Sequence, residues 1–296
     1  MNRQLVFVHG RSQQGKDSTA LKSEWIGAWE RGLAKSGLRR PISDDQIRFP
    51  YYGDTLDQMS DGLSPEEAAK VVVRGERPLP PSEGEFLQAW LGEVQARSGI
   101  GEAEVEQALR AGQTRGVQNW GWVQAILGII DRKIPGASGV SVAVATRDVY
   151  QYLHHATVRK VMDDGVRSAF KAGTETVVVS HSLGTVVAYN VLAKGEPAPG
   201  VRVPEFITLG SPLAVAVVKA RVKPLVYPLC VDTWFNAMDE RDVVALFPLD
   251  SRNFEVVPAI ENKTDVDNDT SNRHGITGYL SDAVVAERIY RALIAH

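Results

Sequence analysis

The chain of 296 residues has one cysteine, Cys230. A single thiol cannot close an internal disulfide or build a cysteine metal site. Cys230 therefore reads as a small buried hydrophobe. Charge of either sign is also not in excess. Thirty-three Lys and Arg against 36 Asp and Glu leave −3. No global basic field exists to attract nucleic acid or an anionic membrane surface. Long apolar runs are missing as well. Val123 to Ile130 is stopped by Asp131-Arg132-Lys133, far short of the roughly 20 residues that a membrane span needs. The first apolar stretch starts at Leu5, which leaves no room for the charged and apolar regions of a signal peptide. Internal repeats and low-complexity segments are absent. The expectation is a soluble, cytoplasmic chain with no nucleic-acid partner and no stable membrane insertion; its oligomeric state is unknown. At 44% hydrophobic it can bury a full core without staples.

Apolar strands alternate with amphipathic helices over most of the chain. Leu5-Val6-Phe7-Val8 is a strand, and Ser18 to Ser36 a helix with Leu21, Trp25, Trp29 and Leu33 on one stripe and Gly37 as its stop. Gln46 to Tyr52 reads as a short second strand, confined to an edge by Pro50. After a long helix over about Thr146 to Ala172 come a strand at Thr176–Val179 and a helix over about Leu183 to Ala193. Further strands fall at Phe206–Leu209, Thr233–Ala237 and, more weakly, Phe254 to Ile260. A last helix spans roughly Ile276 to Ala295. Strands this apolar, separated by helices, indicate an α/β fold: a mostly parallel central sheet with helices on both faces.

Residues 54–135 differ in character. Asp54 to Arg115 holds twelve acidic against six basic side chains. Ser64-Pro65-Glu66-Glu67 is a helix start with a capping box. Pro78, Pro80 and Pro81 form a hinge-like break. Phe86, Trp90 and Val94 share one helical face, and Val117 to Ile134 is a further apolar helical piece. The expected organisation is a core of residues 1–53 and 136–296 with a helical insertion, 54–135. The insertion is either a cap over the site or a pad on the sheet or a dimer surface.

Two motifs carry chemistry. The first is Gly10-x-x-x-x-Gly15-Lys16 after the first strand. It has the glycine–lysine spacing of a phosphate-cradling loop, but Asp17 stands where that loop needs Ser or Thr for magnesium. Asp17 instead suits a helix cap. The second is Ser180-His181-Ser182-Leu183-Gly184, between an apolar strand and an apolar helix. This stretch resembles the nucleophile elbow, G-x-S-x-G, of the α/β-hydrolase superfamily, with Ser180 in place of the first glycine.

The resemblance covers about Leu5 to Tyr52 and Thr146 to His296, and "SHSLGT" with "WFNAMDERDVV" is closest to its lipase- and esterase-like branches. It implies an α/β-hydrolase fold and acyl transfer to water through an acyl-enzyme, with a carboxylic ester or related small-molecule acyl substrate and no cofactor or metal. It implies Ser182 as nucleophile and an acid and a histidine later in the chain. Of six histidines, His9 and His181 lie in the motifs. His154 and His155 lie in a helix before the serine, and His296 is terminal. His274 remains, just before the last helix. The acid is Asp242, whose Asp242-Val243-Val244 run resembles the superfamily's, with Asp239 as the alternative. The backbone N–H groups of Arg11 and Leu183 are the implied oxyanion donors. Arg11, Ser12 and Gln13 rim the pocket, with His181 beside them, and the Arg11 side chain is placed to meet an acidic substrate group. Tyr51, Tyr52, Phe86, Trp90, Trp120 and Trp122 are core or pocket aromatics. The competing readings are a hydrolase-like fold that binds without turnover and a nucleotide-binding protein using Gly10 to Lys16.

Overall fold

The computed structural model describes residues 3–10, 17–51, 80–111, 120–194 and 197–295. In chain order the elements are β1 (Gln4–Val8), α1 (Ser18–Lys35), β2 (Ile47–Arg48), α2 (Pro81–Arg97), α3 (Glu102–Ala111), α4 (Trp120–Lys133), α5 (Gly139–His154), α6 (Ala156–Ser168), β3 (Thr176–His181), α7 (Leu183–Ala193), β4 (Val203–Leu209), α8 (Ala216–Val222), β5 (Val231–Ala237), β6 (Glu261–Lys263), α9 (Ile276–Leu280) and α10 (Ala283–Ile294).

All strand pairings are parallel, and the sheet order is β2-β1-β3-β4-β5-β6. The chain winds outward one way from β1 to β2 and then the other way from β3. The crevice at the carboxyl ends of β1 and β3 is thus the switch point, where open α/β sheets bind ligands.

The alternation of each strand sorts the core into two layers. Leu5, Phe7, Val177, Val179, Ile207, Leu209 and Phe235 face α1, α9 and α10. Val6, Val8, Val178, Phe206 and Trp234 face the other way, into a cluster shared with α2 and α4–α8. The α1 stripe of Leu21, Trp25, Trp29 and Leu33 is buried as its spacing requires, and Trp29 Nε1 donates to Ala286 O at 3.1 Å on α10.

The described part of the insertion is helical. Phe86, Trp90 and Val94 form the buried face of α2, and Trp90 is wholly inaccessible. They belong to the same apolar cluster as Val178 and Val187. Pro80 and Pro81 open α2, where a missing N–H costs nothing. Pro78, Tyr52 and the helix start at Ser64 to Glu67 lie outside the described residues. Across the expected boundary at residue 135, α4 and α5 pack together, and the Asp131 carboxylate accepts the Gly139 N–H at 2.7 Å. No described helix is long and apolar enough to cross a membrane.

Four expected elements differ. The helix expected over Thr146 to Ala172 is two helices, broken at His155, whose ψ is 109°. A one-residue break preserves the apolar period, so the pattern does not reveal it. Arg159 stabilises the break by donating to the carbonyls of Tyr152 and Leu153 that end α5. The last helix is also two. Asp282 accepts from Val284 N at 2.9 Å and Val285 N at 3.0 Å, and so starts α10 afresh. Phe254 to Ile260 is not a strand. Phe254 is buried against Tyr189 and Trp234, Pro258 lacks a ladder donor, and the sixth strand is Glu261–Lys263. Gln46 to Tyr52 shrinks to Ile47–Arg48 ahead of Pro50.

Candidate active site

Ser182 is the junction between β3 and α7. Its φ is 54° and ψ −130°, a conformation that L-residues rarely adopt. Such strain costs about 1–3 kcal/mol and persists only where neighbours over-determine it. Ser182 N donates to Leu209 O at 3.1 Å. Its carbonyl accepts Thr185 N at 2.9 Å and Thr185 Oγ1 at 2.7 Å, and Thr185 is tied to Ser211 Oγ at 2.8 Å. Gly184 is required by close approach. A Cβ there would lie 2.3 Å from Val8 O and 2.8 Å from His9 C. Ser180, at the position of the motif's first glycine, is fully buried and donates to Ile207 O at 3.1 Å. Its hydroxyl is satisfied within the sheet, so the larger side chain is accommodated.

His274 lies in the loop before α9. Its Nε2 is 2.8 Å from Ser182 Oγ, and its Nδ1 is 2.7 Å from Asp242 Oδ2. The carboxylate only accepts, so Nδ1 carries the proton and Nε2 offers its lone pair to the serine hydroxyl. Asp242 follows β5 and is buried. Its Oδ1 accepts Val244 N at 2.8 Å and Ala245 N at 3.3 Å, and its Oδ2 accepts the Tyr279 hydroxyl at 2.7 Å. Burial pushes this carboxyl toward protonation. The electrostatic interaction with His274 and these hydrogen bonds outweigh burial and hold it below the usual carboxylate range.

The structure separates the two acid candidates. Asp239 does not touch His274. Its Oδ1 accepts Arg241 N at 2.8 Å, and its Oδ2 accepts Asn268 N at 3.0 Å and Arg273 Nη1 at 3.2 Å. It therefore anchors the histidine loop to the end of β5. Asn268 continues this work inside the loop. It donates to Gly275 O at 2.9 Å, and its Oδ1 accepts Thr270 N at 3.1 Å. Asn272 Oδ1 accepts His274 N at 3.1 Å.

His181 does not turn toward the serine hydroxyl. Its Nε2–H donates to His274 O at 2.7 Å, and its ring packs on those of His274 and Tyr279. Burial, then the neighbouring His274, lower its pKa to about 3, so it is neutral. His181 braces the histidine backbone in place of lining a pocket rim. His9, at the end of β1, stacks on Phe49, donates from Nδ1 to Gly10 O and is lowered by burial to about 4.

Leu183 is the first residue of α7, so helix geometry gives its N–H no intrahelical acceptor. A Cβ on Gly10 would lie 3.5 Å from that N and 3.4 Å from Ser182 Cβ. The turn after β1 therefore abuts the serine backbone. Arg11, Ser12, Gln13 and Lys16 lie outside the described residues. Asp17 caps α1, accepting Thr19 N at 2.8 Å. Of the aromatics, Phe86 packs on Trp90, Tyr150 and His154, while Tyr51 lies against His9. Trp120 and Trp122 are partly buried against the larger cluster. Tyr279 and Asn268 are the site residues that sequence reasoning missed. Only the polar density of "VDNDTSNRHG" around the histidine hinted at Asn268. Comparison with protein-family models, with curated proteins and with solved structures finds no match for this chain.

Proposed function

We propose that this chain is a serine hydrolase of the α/β-hydrolase type that cleaves a carboxylic ester or related acyl bond. The observation that carries this reading is the unbroken hydrogen-bonded run from Ser182 Oγ through His274 to Asp242 Oδ2, with the serine on a strained strand-to-helix turn. The chain order Ser, Asp, His and the position at the sheet's switch point support it.

In this mechanism Ser182 Oγ attacks the acyl carbon while its proton passes to His274 Nε2. Asp242 fixes the imidazole tautomer and stabilises the imidazolium. Negative charge on the carbonyl oxygen is met by the Leu183 N–H at the positive end of α7; the second donor that the resemblance assigns, the Arg11 N–H, lies outside the described residues. His274 returns the proton to the leaving oxygen as the acyl C–O bond breaks. Water then attacks the acyl-enzyme, giving its proton to Nε2, and the C–Oγ bond breaks as Ser182 recovers the proton. No step uses a cofactor.

A fluorophosphonate probe, followed by an ester panel graded in acyl length, tests the reading. Label on Ser182, lost in Ser182→Ala together with ester turnover but without loss of melting temperature, is the expected result. A Ser182→Ala variant that retains the wild-type rate would dismiss the mechanism.

A further inference from the structure

Asp242 Oδ2 is a shared acceptor. It takes the His274 Nδ1–H at 2.7 Å and the Tyr279 hydroxyl at 2.7 Å. Tyr279 is wholly buried on α9. Its oxygen also accepts the Asp239 N–H at 3.2 Å, which leaves the phenolic proton for Asp242. Burial, then the charge of Asp242, push this phenol well above its ordinary range, so it stays a donor across the working pH. Gly210, at φ 56°, leaves the space where the groups meet. A Cβ there would lie 3.0 Å from Tyr279 Cε2, 3.2 Å from His274 Cε1 and 3.3 Å from Asp242 Oδ2.

We infer that Tyr279 is a positioning residue that takes a share of the Asp242 charge and so limits how tightly the carboxylate grips the His274 imidazolium. The inference rests on the proposed roles of Ser182, His274 and Asp242. A carboxylate oxygen that already accepts a phenol is less basic. It leaves the proton on Nδ1 and stabilises the charged ring less than an undivided carboxylate would. A histidine gripped too tightly is already protonated at working pH and cannot take the serine proton. The other charged and titratable groups nearby do not supply this control. His181 from β3 is neutral; its Nε2–H donates to the His274 carbonyl, and its ring packs on those of His274 and Tyr279 without bringing a charge. His9 from β1 lies beyond His181 and is neutral too. Arg273 and Arg241 are engaged with Asp239 and Asp267.

The test follows the His274 imidazole titration by NMR in the full chain, beside the acidic limb of kcat/KM on a short-chain ester. Two replacements of opposite sign are compared. Tyr279→Phe removes the donor, and site-specific 3-fluorotyrosine at 279 makes it more acidic at nearly unchanged volume. The phenylalanine should move both curves to higher pH by about half to one unit, the share of a charged hydrogen bond that reaches the ring. The fluorotyrosine should move them to lower pH. In an Asp242→Asn background neither change should move the titration. Curves that stay in place, or move the same way in both, overturn the inference and leave Tyr279 as packing. If Tyr279→Phe does not fold, the fluorotyrosine protein decides alone. Wild-type protein that takes no fluorophosphonate label while its titration still responds as expected would sink the hydrolase reading and leave the Tyr279 coupling intact.

Discussion

A single methyl group at residue 184 tests the elbow directly. In Gly184→Ala the added Cβ would sit 2.3 Å from Val8 O. Ordinary contact needs about 3.4 Å, so something must yield by about 1 Å. The obstructing atoms are backbone of β1, buried and paired with β3 through Val8 and Ser180, and they cannot swing aside. The first turn of α7 must lift instead, taking Ser182 and the Leu183 N–H with it. Ser182 Oγ now lies 2.8 Å from His274 Nε2, and a displacement of that size ends the contact. Misplacement by about 1 Å costs on the order of 100-fold in rate, and overpacking of this kind costs about 1–3 kcal/mol. For 296 residues the unfolding entropy is about 0.6 kcal/mol/K, so the melting temperature should fall by about 2–5 °C. The assay is kcat/KM on a short ester and the labelling rate of Ser182, with calorimetry alongside. Gly92→Ala is the matched control. Gly92 lies inside α2 with open space around its Cβ position, so alanine should add up to about 1 kcal/mol and leave the rate unchanged. A Gly184→Ala protein with wild-type labelling and melting would refute the argument that β1 clamps the elbow.

Four further outcomes follow from the structure. Asp242→Asn should cost roughly 10,000-fold in activity, as expected when a triad carboxylate is lost. Asp239→Asn should act mainly on stability, by about 1–3 kcal/mol, through its hydrogen bonds to Arg241 N and Asn268 N and its part-buried pairing with Arg273; the reverse ranking in rate assays would reassign the acid. Trp90→Ala should cost about 3–5 kcal/mol because the side chain is wholly buried, and an unchanged melting temperature with altered acyl-length preference would favour a cap over a packed pad. Stability should fall on mild acidification. Burial holds His9 and His181 neutral, lowered to about 4 and about 3 from the ordinary 6.5. The unfolded chain therefore binds more protons below 6.5, and stability rises with pH through that window. At pH 5 each group should contribute about 2 kcal/mol of destabilisation relative to pH 7, and a melting temperature flat between those values would contradict their burial as neutral rings.

The α/β layering was legible because strand and helix periods differ and the central strands β1, β3, β4 and β5 each carry an apolar run, whereas the polar β6 was missed. The strained strand-to-helix turn at Ser182 was legible through the likeness of Ser180 to Gly184 to the elbow motif, whose need for a small residue Gly184 meets. His274 and Asp242 were expected from the superfamily resemblance, which asks for an acid and then a histidine after the serine and is matched by the Asp242-Val243-Val244 run. What remained hidden depends on contacts distant in sequence. The hydroxyl of Tyr279 matters only because α9 brings it to Asp242, 37 residues away. Asp239 and Asp242 look alike in "MDERDVV" and part only when the loop around Asn268 folds back on one of them. The breaks at His155 and Asp282 keep the helical period, so counting apolar positions passes over them. His181 sits beside the nucleophile in sequence, yet strand alternation turns its ring to the opposite face, toward Trp25 and Tyr279.

The groups proposed to react ride on supports of unequal permanence. Ser182 ends β3, a buried strand bonded to β1 on one side and β4 on the other. His274 ends a long loop secured by side-chain bonds from Asp239, Asn268 and Asn272. Local opening energies in proteins range from nearly nothing to the global value, and central strands lie at the high end. The histidine loop can therefore detach while the sheet keeps its amide protons from exchange. For the proposed hydrolase, inactivation on warming should then precede melting and reverse on cooling, with the elbow as the template on which the loop settles again.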